Sequence, residues 1–309
     1  MISREHRGSA YAILSGFLYG FVGYFGISVI RSSISVTNML FWRFLIASLV
    51  MALILTKQLE AAPVSKKEMG LAFINGALFY GLSTLLYFIA CPYIGSGLGM
   101  VIFFTYPAMV MLLNHFLYGQ RIPTIYYSTI AIIIIGMGFF IDTHEMKLDM
   151  IGIALSITSA FLYAGYIVSS KKITSLTPQV TTLMVCLGCM FTCFVFALVT
   201  HSLTIPRTLP VWINLFGIAI VSTTVPILLL LYSLNYIRSE KTSILSVLEP
   251  IFVLIFGVTL LGEPMKLQYA IGVIIVLTGA LLTLFSQQTR SNSVEPLRDE
   301  ALEAKTLEK

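Results

Sequence analysis

The stretch from 131 to 141, AIIIIGMGFFI, is apolar at every position and decides between the two folds that can cross a membrane. A strand of a membrane barrel alternates lipid-facing apolar residues with inward-facing polar ones, and this stretch has no such alternation. A helix satisfies its backbone hydrogen bonds internally and can therefore be apolar on all sides in lipid. The stretch predicts a membrane-spanning helix.

The rest of the chain has the same character. Hydrophobic residues make up 57% of the 309 residues and charged residues 11%, which excludes a water-soluble globular protein. A spanning helix needs roughly 20 mostly apolar residues, and the chain divides into ten such segments. They are 8–30, 38–56, 69–91, 96–118, 123–141, 150–170, 180–200, 209–234, 242–262 and 267–286. The sequence predicts an all-α integral membrane protein with ten transmembrane helices.

The basic residues predict which side of the membrane each connection occupies. If the N-terminus is cytoplasmic, 14 of the 19 Lys and Arg residues fall on that side and four on the other. This bias fits the positive-inside rule and places both termini in the cytoplasm. We therefore expect a multi-pass protein of the cell inner (cytoplasmic) membrane. The net charge of +5 reflects this topology, so we expect no nucleic-acid partner.

A shift of 143 residues reveals an internal repeat. It superposes Tyr93 on Tyr236, Ser96 on Ser239, Pro107 on Pro250, Gly119 on Gly262, Tyr126 on Tyr269 and Gly136 on Gly279. The repeat unit contains five helices, and because five is odd, the second copy is inverted in the membrane. Two inverted repeats around a midplane site are typical of transporters that work by alternating access. The alternative is an old duplication kept only for packing.

The predicted domains follow from this repeat. Residues 1–142 form the first five-helix repeat and residues 143–286 the second, inverted one. The polar, charge-rich remainder, 287–309, is predicted to be a disordered cytoplasmic tail.

The second half of the chain, from 236 to 282, resembles the EamA domain of the drug/metabolite transporter superfamily. The resemblance rests on the proline of Leu-Glu-Pro at 248–250, on Leu-Gly-Glu at 261–263, and on Gly272 and Gly279. In the first half, FWRFLIA (41–47) resembles the Arg-Phe motif of the family's second helix. There the chain also departs from the pattern, because Gln120 follows Gly119 where the family usually has Glu, which leaves open whether the two halves are equivalent.

This resemblance implies a ten-helix carrier with a central cavity lined mainly by helices 1, 3, 4, 6, 8 and 9. Members of the family move amino acids, other metabolites, nucleotide-linked compounds or drugs, often outward.

Three prolines fall inside predicted helices: Pro107, Pro226 and Pro250. A proline removes one backbone hydrogen bond and clashes with the carbonyl four residues earlier. In a membrane the freed carbonyl must find another partner. The three positions are therefore predicted gates or hinges, or alternatively static kinks that fit neighbouring helices together.

Two charged residues, Arg43 and Glu249, lie clearly inside predicted helices. A buried charge in a membrane is costly and by default marks a functional site. We predict that Glu249 contacts substrate, either by binding a cationic group or by carrying a coupling proton. We predict a structural charge for Arg43, anchored by packing or a salt bridge, or reaching the nearby interface with its long side chain.

Polar and aromatic side chains within the helices provide a possible cavity lining. Besides Glu249, the predicted substrate-binding residues are Tyr19, Asn75, Tyr80, Tyr106, Tyr163 and Tyr166. Tyrosine rings offer apolar area, a hydroxyl group and a face that attracts cations. Tyr19 and Tyr163 are related by the repeat at a shift of 144 residues, whereas Tyr106 corresponds to Glu249 at the shift of 143. Ordinary core or lipid-facing aromatic residues are the alternative for each tyrosine.

The motifs of ATP-hydrolysing and proteolytic enzymes are absent from the sequence, and no bound metal or cofactor is expected. The closely spaced Cys186, Cys189 and Cys193 are interpreted as packing residues of one helix. We therefore expect a secondary transporter, an exporter or exchanger, of small organic metabolites such as amino acids or related amphiphilic or cationic solutes. Its expected partners are the solute and the lipid bilayer, with a proton as the candidate coupling ion, and it is expected to be a monomer or homodimer. The alternative is a flippase for lipids or lipid-linked sugars.

Overall fold

The computed structural model describes residues 4–56, 65–120, 122–141, 149–262 and 266–282. In these ranges all regular secondary structure is helical, so the all-α prediction is confirmed. The helices are α1 (Arg4–Ile30), α2 (Val36–Leu55), α3 (Lys66–Ile94), α4 (Leu98–Tyr118), α5 (Thr124–Gly138), α6 (Met150–Ser170), α7 (Pro178–Val199), α8 (Leu209–Tyr236), α9 (Ser239–Leu261) and α10 (Leu267–Leu282).

A helix occupies each of the ten predicted segments. Within the described part of the chain, eight helices are long and apolar enough to cross a membrane, and α5 and α10 are shorter apolar helices. The predicted tail, 287–309, lies outside the described residues.

Contacts between helix ends define two faces of the molecule. One, which we call the N-terminal face, includes Glu5, Gln120, Lys171, Arg238 and Lys241, which are linked by polar contacts at the ends of α1, α4, α6, α8 and α9. The other, the opposite face, includes Trp42, Ile141, Thr204 and Gln268. There the Trp42 indole donates to the Thr204 carbonyl at 2.9 Å.

Three helices are interrupted rather than continuous. The first is α1, which breaks at Gly20 and Phe21. The helix α4 stops at Phe103 and resumes at Tyr106, and α9 stops at Ser246 and resumes at Glu249. The breaks in α4 and α9 occur at positions related by the 143-residue repeat, so they belong to the plan shared by the two halves.

Two further helices contain π-helical segments, Asn75–Gly81 in α3 and Ile220–Thr224 in α8. These segments also lie at corresponding places in the two repeats. Single π-helical turns inside α-helices frequently occur at functional sites, and here both lie near the middle of their helices.

Close packing between α3 and α7 depends on glycine. A Cβ atom added to Gly76 would overlap the backbone of Val185, and one added to Gly188 would overlap the carbonyl oxygen of Phe73. Small residues of this kind let two membrane helices approach until their backbones touch.

Candidate functional site

A partly open cavity of about 400 Å³ lies between the two halves of the chain. Its walls come from α1, α2, α3, α4, α6 and α9, with single residues from the ends of α5 and α10. It extends from Tyr19 and Tyr163, near the middle of their helices, to Ile30 and Tyr269, near the opposite face. In contrast to the expectation from the resemblance, α2 contributes to the lining and α8 does not.

The five predicted tyrosines form one cluster at the inner end of this cavity. The hydroxyl groups of Tyr19 and Tyr80 lie 3.2 Å apart. The Tyr80 ring stacks on Tyr166 with centroids 4.9 Å apart, and Tyr106 meets Tyr163 edge to face at 4.8 Å. Tyr19, Tyr80 and Tyr163 line the cavity, whereas Tyr106 and Tyr166 lie behind them.

Tyr106 also links the two repeats. Its hydroxyl group donates to the backbone carbonyl of Ser243 in α9 at 3.2 Å. This contact closes the cluster on the side of the N-terminal face.

Asn75 lies away from the cavity. Its side-chain amide donates to the Ser170 hydroxyl at 2.8 Å, and its carbonyl oxygen accepts from the Ser169 hydroxyl at 2.6 Å. Both partners belong to α6, so Asn75 joins α3 to α6 within the described structure and its hydrogen-bonding capacity is largely used there.

The Arg43 side chain lines the cavity and is buried at 4% exposure rather than extended toward the interface. Its Nε donates to the Thr223 hydroxyl at 2.5 Å, and Nη2 donates to the Ser222 carbonyl at 3.2 Å. Both partners lie in the π-helical segment of α8. Hydrogen bonds, not a carboxylate, therefore anchor the guanidinium group, which keeps further N–H donors for a ligand.

Glu249 is the first residue of α9 after its break, and its side chain lines the cavity. The positive end of a helix dipole lies at such a position and favours a negative charge. Among the described residues, no cation lies within ion-pair distance of the Glu249 carboxylate. Arg43, on another wall of the same cavity, is the cation whose charge acts on it.

The break beside Glu249 is covered by glycine on α1. A Cβ atom added to Gly16 would lie 3.4 Å from the Glu249 nitrogen and 3.5 Å from the Ser246 oxygen. Both distances are ordinary van der Waals contacts, so α1 packs directly against the break at this glycine.

The prolines begin helices instead of bending them. Pro107 and Pro250 each occupy the first turn after a break, where the missing N–H group costs nothing. Pro226 follows the π-helical segment of α8, and its carbonyl accepts a hydrogen bond from the Ser15 hydroxyl at 2.8 Å. Of the three, Pro250 lines the cavity.

Several lining residues were not among the predicted site residues, including Thr84, Tyr87, Phe103 and Val253. Phe103 and Val253 are apolar residues in apolar segments, so their types carry no signal. Thr84 and Tyr87 follow Tyr80 at helical spacing in α3, which is the pattern that could have found them.

The model of the EamA-like transporter family matches residues 6–141 and 150–285, one match in each half of the chain. The chain belongs to the EamA-like transporter family. The resemblance found in the sequence is thereby confirmed, and this EamA-like transporter is a multi-pass membrane protein.

Two relatives of this EamA-like transporter are named as transporters. One is the uncharacterized transporter YxxF of Bacillus subtilis (strain 168), 26% identical over 60% of this chain and 60% of that protein. The other is an uncharacterized transporter of Archaeoglobus fulgidus, 27% identical over 89% of this chain and 95% of that protein. The first match therefore spans less than two thirds of the relative's length.

A protein of known crystal structure has the same fold as this EamA-like transporter. The two superpose with a TM-score of 0.78 over 91% of this chain and 98% of the other, at 13% sequence identity. At this identity the likeness concerns the fold alone.

Proposed function

We propose that this transporter carries small organic solutes with a cationic group, such as amino acids or related amphiphilic compounds, by alternating access around the cavity. The observation that carries the proposal is Glu249, a carboxylate without an ion-pair partner among the described residues, in an aromatic-lined cavity at a helix break. A charge is expensive inside a membrane unless it is paired or hydrated. A solute ammonium group would supply the missing partner.

The other walls of the cavity suit the rest of such a solute. The rings of Tyr19, Tyr80 and Tyr163 offer apolar area to a carbon skeleton and attract cations through their faces. Arg43 keeps donors that can bind a carboxylate or another anionic group. We assign Tyr106, Tyr166 and Asn75 to the shell that supports these contacts.

The proposed topology places all ten helices across the cell inner membrane with both termini in the cytoplasm. Residues 1–142 and 143–286 form the two inverted repeats. Lys171, Arg238 and Lys241 at the N-terminal face support this orientation through the positive-inside rule. With this orientation the cavity opens outward, and solute would reach Glu249 from outside in the state described.

Glu249 is also the candidate carrier of a coupling proton, because protonation and solute binding would compete for the same oxygen atoms. A transporter that alternates between these two ligands would act as a proton-coupled exporter or exchanger. The proposal requires no second subunit and is compatible with a monomer or a homodimer.

Solute binding and flux in purified protein test the proposal. We expect an amino acid or amine, from a thermal-shift panel that also contains nucleotides and lipid headgroups, to raise the melting temperature, because a ligand of the folded state stabilises it. The same compound should support counterflow in liposomes. Stabilisation by headgroups alone, with lipid scrambling, would favour a flippase, and the lack of any flux would overturn transport.

The two helix breaks are the proposed hinges. Replacing Pro107 and Pro250 together by Ala should let α4 and α9 become continuous, because Ala lacks the ring that clashes with the carbonyl four residues earlier in a continuous helix. We expect turnover to fall roughly tenfold, equivalent to about 1.4 kcal/mol of barrier, with solute affinity unchanged. Counterflow rates and equilibrium binding measure the two effects. Pro226→Ala, outside the paired breaks, is the control, and unchanged turnover in the double variant would contradict the hinge role.

A further inference from the structure

The start of α9 carries a group of charged side chains that takes no part in lining the cavity. Arg238 Nη2 lies 3.1 Å from a carboxylate oxygen of Glu240, and Lys241 Nζ lies 2.5 Å from a carboxylate oxygen of Glu5 in α1. Glu240 and Lys241 are buried, with 0% and 3% exposure, whereas their partners Arg238 and Glu5 are partly exposed. Each buried charge is thus matched by a partner that reaches toward water.

These charges connect the start of α9 to several other helices. Arg238 Nη2 also donates to the Gln120 side chain at 3.2 Å, just beyond α4. The Asn114 amide of α4 donates to the Ser239 hydroxyl at 2.9 Å. The segment 238–241 is therefore held to both α1 and α4.

Lys171, at the end of α6, joins the same region. Its amino group donates to the carbonyl oxygens of Leu234 and Ile237 at the end of α8. Burial lowers the pKa of Lys171, and the negative charge of Glu240 acts in the opposite direction. Glu240 thus interacts electrostatically with α6 as well as with Arg238.

The repeat shows that this group of charges exists at one end of the transporter only. At the 143-residue shift, YIRSEK (236–241) falls on YIGSGL (93–98), so Arg, Glu and Lys correspond to Gly, Gly and Leu. Gly95 has φ of 80°, a conformation that side chains with a Cβ rarely adopt, whereas Arg238 has φ of −69°. The backbone itself thus disfavours an arginine at the opposite face.

We propose that Lys241 with Glu5 of α1, and Arg238 with Gln120 beyond α4, form an ionic gate that closes the cytoplasmic end of the transporter, that Glu240 holds Arg238 in place, and that the opposite end lacks an equivalent at 95–98. The inference rests on the proposed alternating access and topology. Inward opening must separate α9 from α1 and α4, which breaks the Lys241–Glu5 pair and the Arg238–Gln120 hydrogen bond, whereas the Arg238–Glu240 pair lies within the segment 238–241 and moves with it. Outward opening breaks no such pairs at 95–98, so the transporter rests with its cytoplasmic end closed.

Thiol accessibility tests the gate without knowledge of the solute. Ser243→Cys places a thiol between the gate and Tyr106. Thr84→Cys places a second thiol on the cavity wall. A membrane-impermeant maleimide is added to one side of reconstituted vesicles, and modification at each position is read by peptide mass spectrometry. This readout separates the reporters from the native cysteines.

Glu5→Gln removes the charge that pairs with the buried Lys241 between α1 and α9 but keeps a hydrogen-bonding side chain of the same size. We expect labelling at 243 from the cytoplasmic side to rise at least about tenfold and labelling at 84 from outside to fall. Glu68→Gln is the matched control, because Glu68 lies outside the gate and accepts a hydrogen bond from the Ser175 backbone. It should change neither rate.

Two further results separate the possible failures. If Glu5→Gln does not fold, the double variant Glu5→Gln and Lys241→Gln, which removes both charges of the pair, should show the same labelling change. Unchanged labelling at 243, or faster labelling at both reporters, would overturn the gate. Lack of solute flux in the wild-type protein would instead overturn the proposed function, whatever the labelling shows.

Discussion

Glu249→Gln is expected to bind a cationic solute roughly 30-fold more weakly than the wild-type protein, and to lose most of its counterflow. Removing one partner of a buried charge pair costs about 2 kcal/mol or more, and each 1.4 kcal/mol corresponds to about tenfold in affinity. The glutamine keeps the size of the side chain, so the helix break and the cavity walls should stay in place. Equilibrium binding of the solute found in the thermal-shift panel measures the effect.

Glu249→Asp is the matched variant for this prediction. It keeps the charge at the start of the half-helix but shortens its reach, so we expect binding between that of the wild-type and Gln proteins. Flux measured across a pH gradient also tests the proton role, because the Gln variant cannot exchange a proton at this position. Wild-type affinity and wild-type pH dependence in Glu249→Gln would remove both roles of the carboxylate.

Gly188→Ala is expected to have the largest effect on stability. The methyl group added to α7 would overlap the Phe73 carbonyl oxygen of α3 and would also lie very close to Gly76 of α3. The two helices would therefore have to separate. Forcing extra volume into a packed core typically costs about 1–3 kcal/mol, and the overlap with backbone atoms places this variant at the upper end of that range. We expect a lower yield of folded protein and a lower melting temperature.

Gly70→Ala provides the control on α3, one of the two helices concerned. No atom lies within 4 Å of the position where its Cβ would be placed. Alanine favours a helix over glycine by about 1 kcal/mol, so this variant should be at least as stable as the wild-type protein. Equal melting temperatures for the Gly188 and Gly70 variants would show that the close contact between α3 and α7 does not limit stability.

Helix positions were predictable because each spanning segment must be long, apolar and internally hydrogen-bonded. The π-helical segments were not, since a sequence such as NGALFYG (75–81) has no signal that separates it from an α-helix. The breaks in α4 and α9 were predicted in place but not in form, whereas the break in α1 at Gly20 and Phe21 was not predicted, because no proline marks it. A proline marks where a helix is disturbed, but whether the chain bends or restarts depends on the helices packed against it.

The site was predictable where a residue type was unusual for its surroundings. A carboxylate, a guanidinium group and a cluster of tyrosines in apolar helices all met at or beside one cavity. The direction of each side chain was not predictable, because it depends on helix rotation and tertiary contacts. Asn75 is a polar residue in an apolar helix, like the other predicted site residues. Its side chain nevertheless binds Ser169 and Ser170 of α6 instead of lining the cavity.

The paired π-helical segments make α3 and α8 sensitive to the deletion of a single residue. Each contains an extra residue relative to an α-helix, and successive residues of a helix are rotated by about 100°. Deleting one residue from Asn75–Gly81 would convert the segment to an ordinary helix and turn Thr84 and Tyr87 away from the cavity wall. A similar deletion in Ile220–Thr224 of α8 would rotate Ser222 and Thr223, which bind the Arg43 guanidinium group. The spacing of residues along these two helices is therefore as much a part of the site as the side chains that line it.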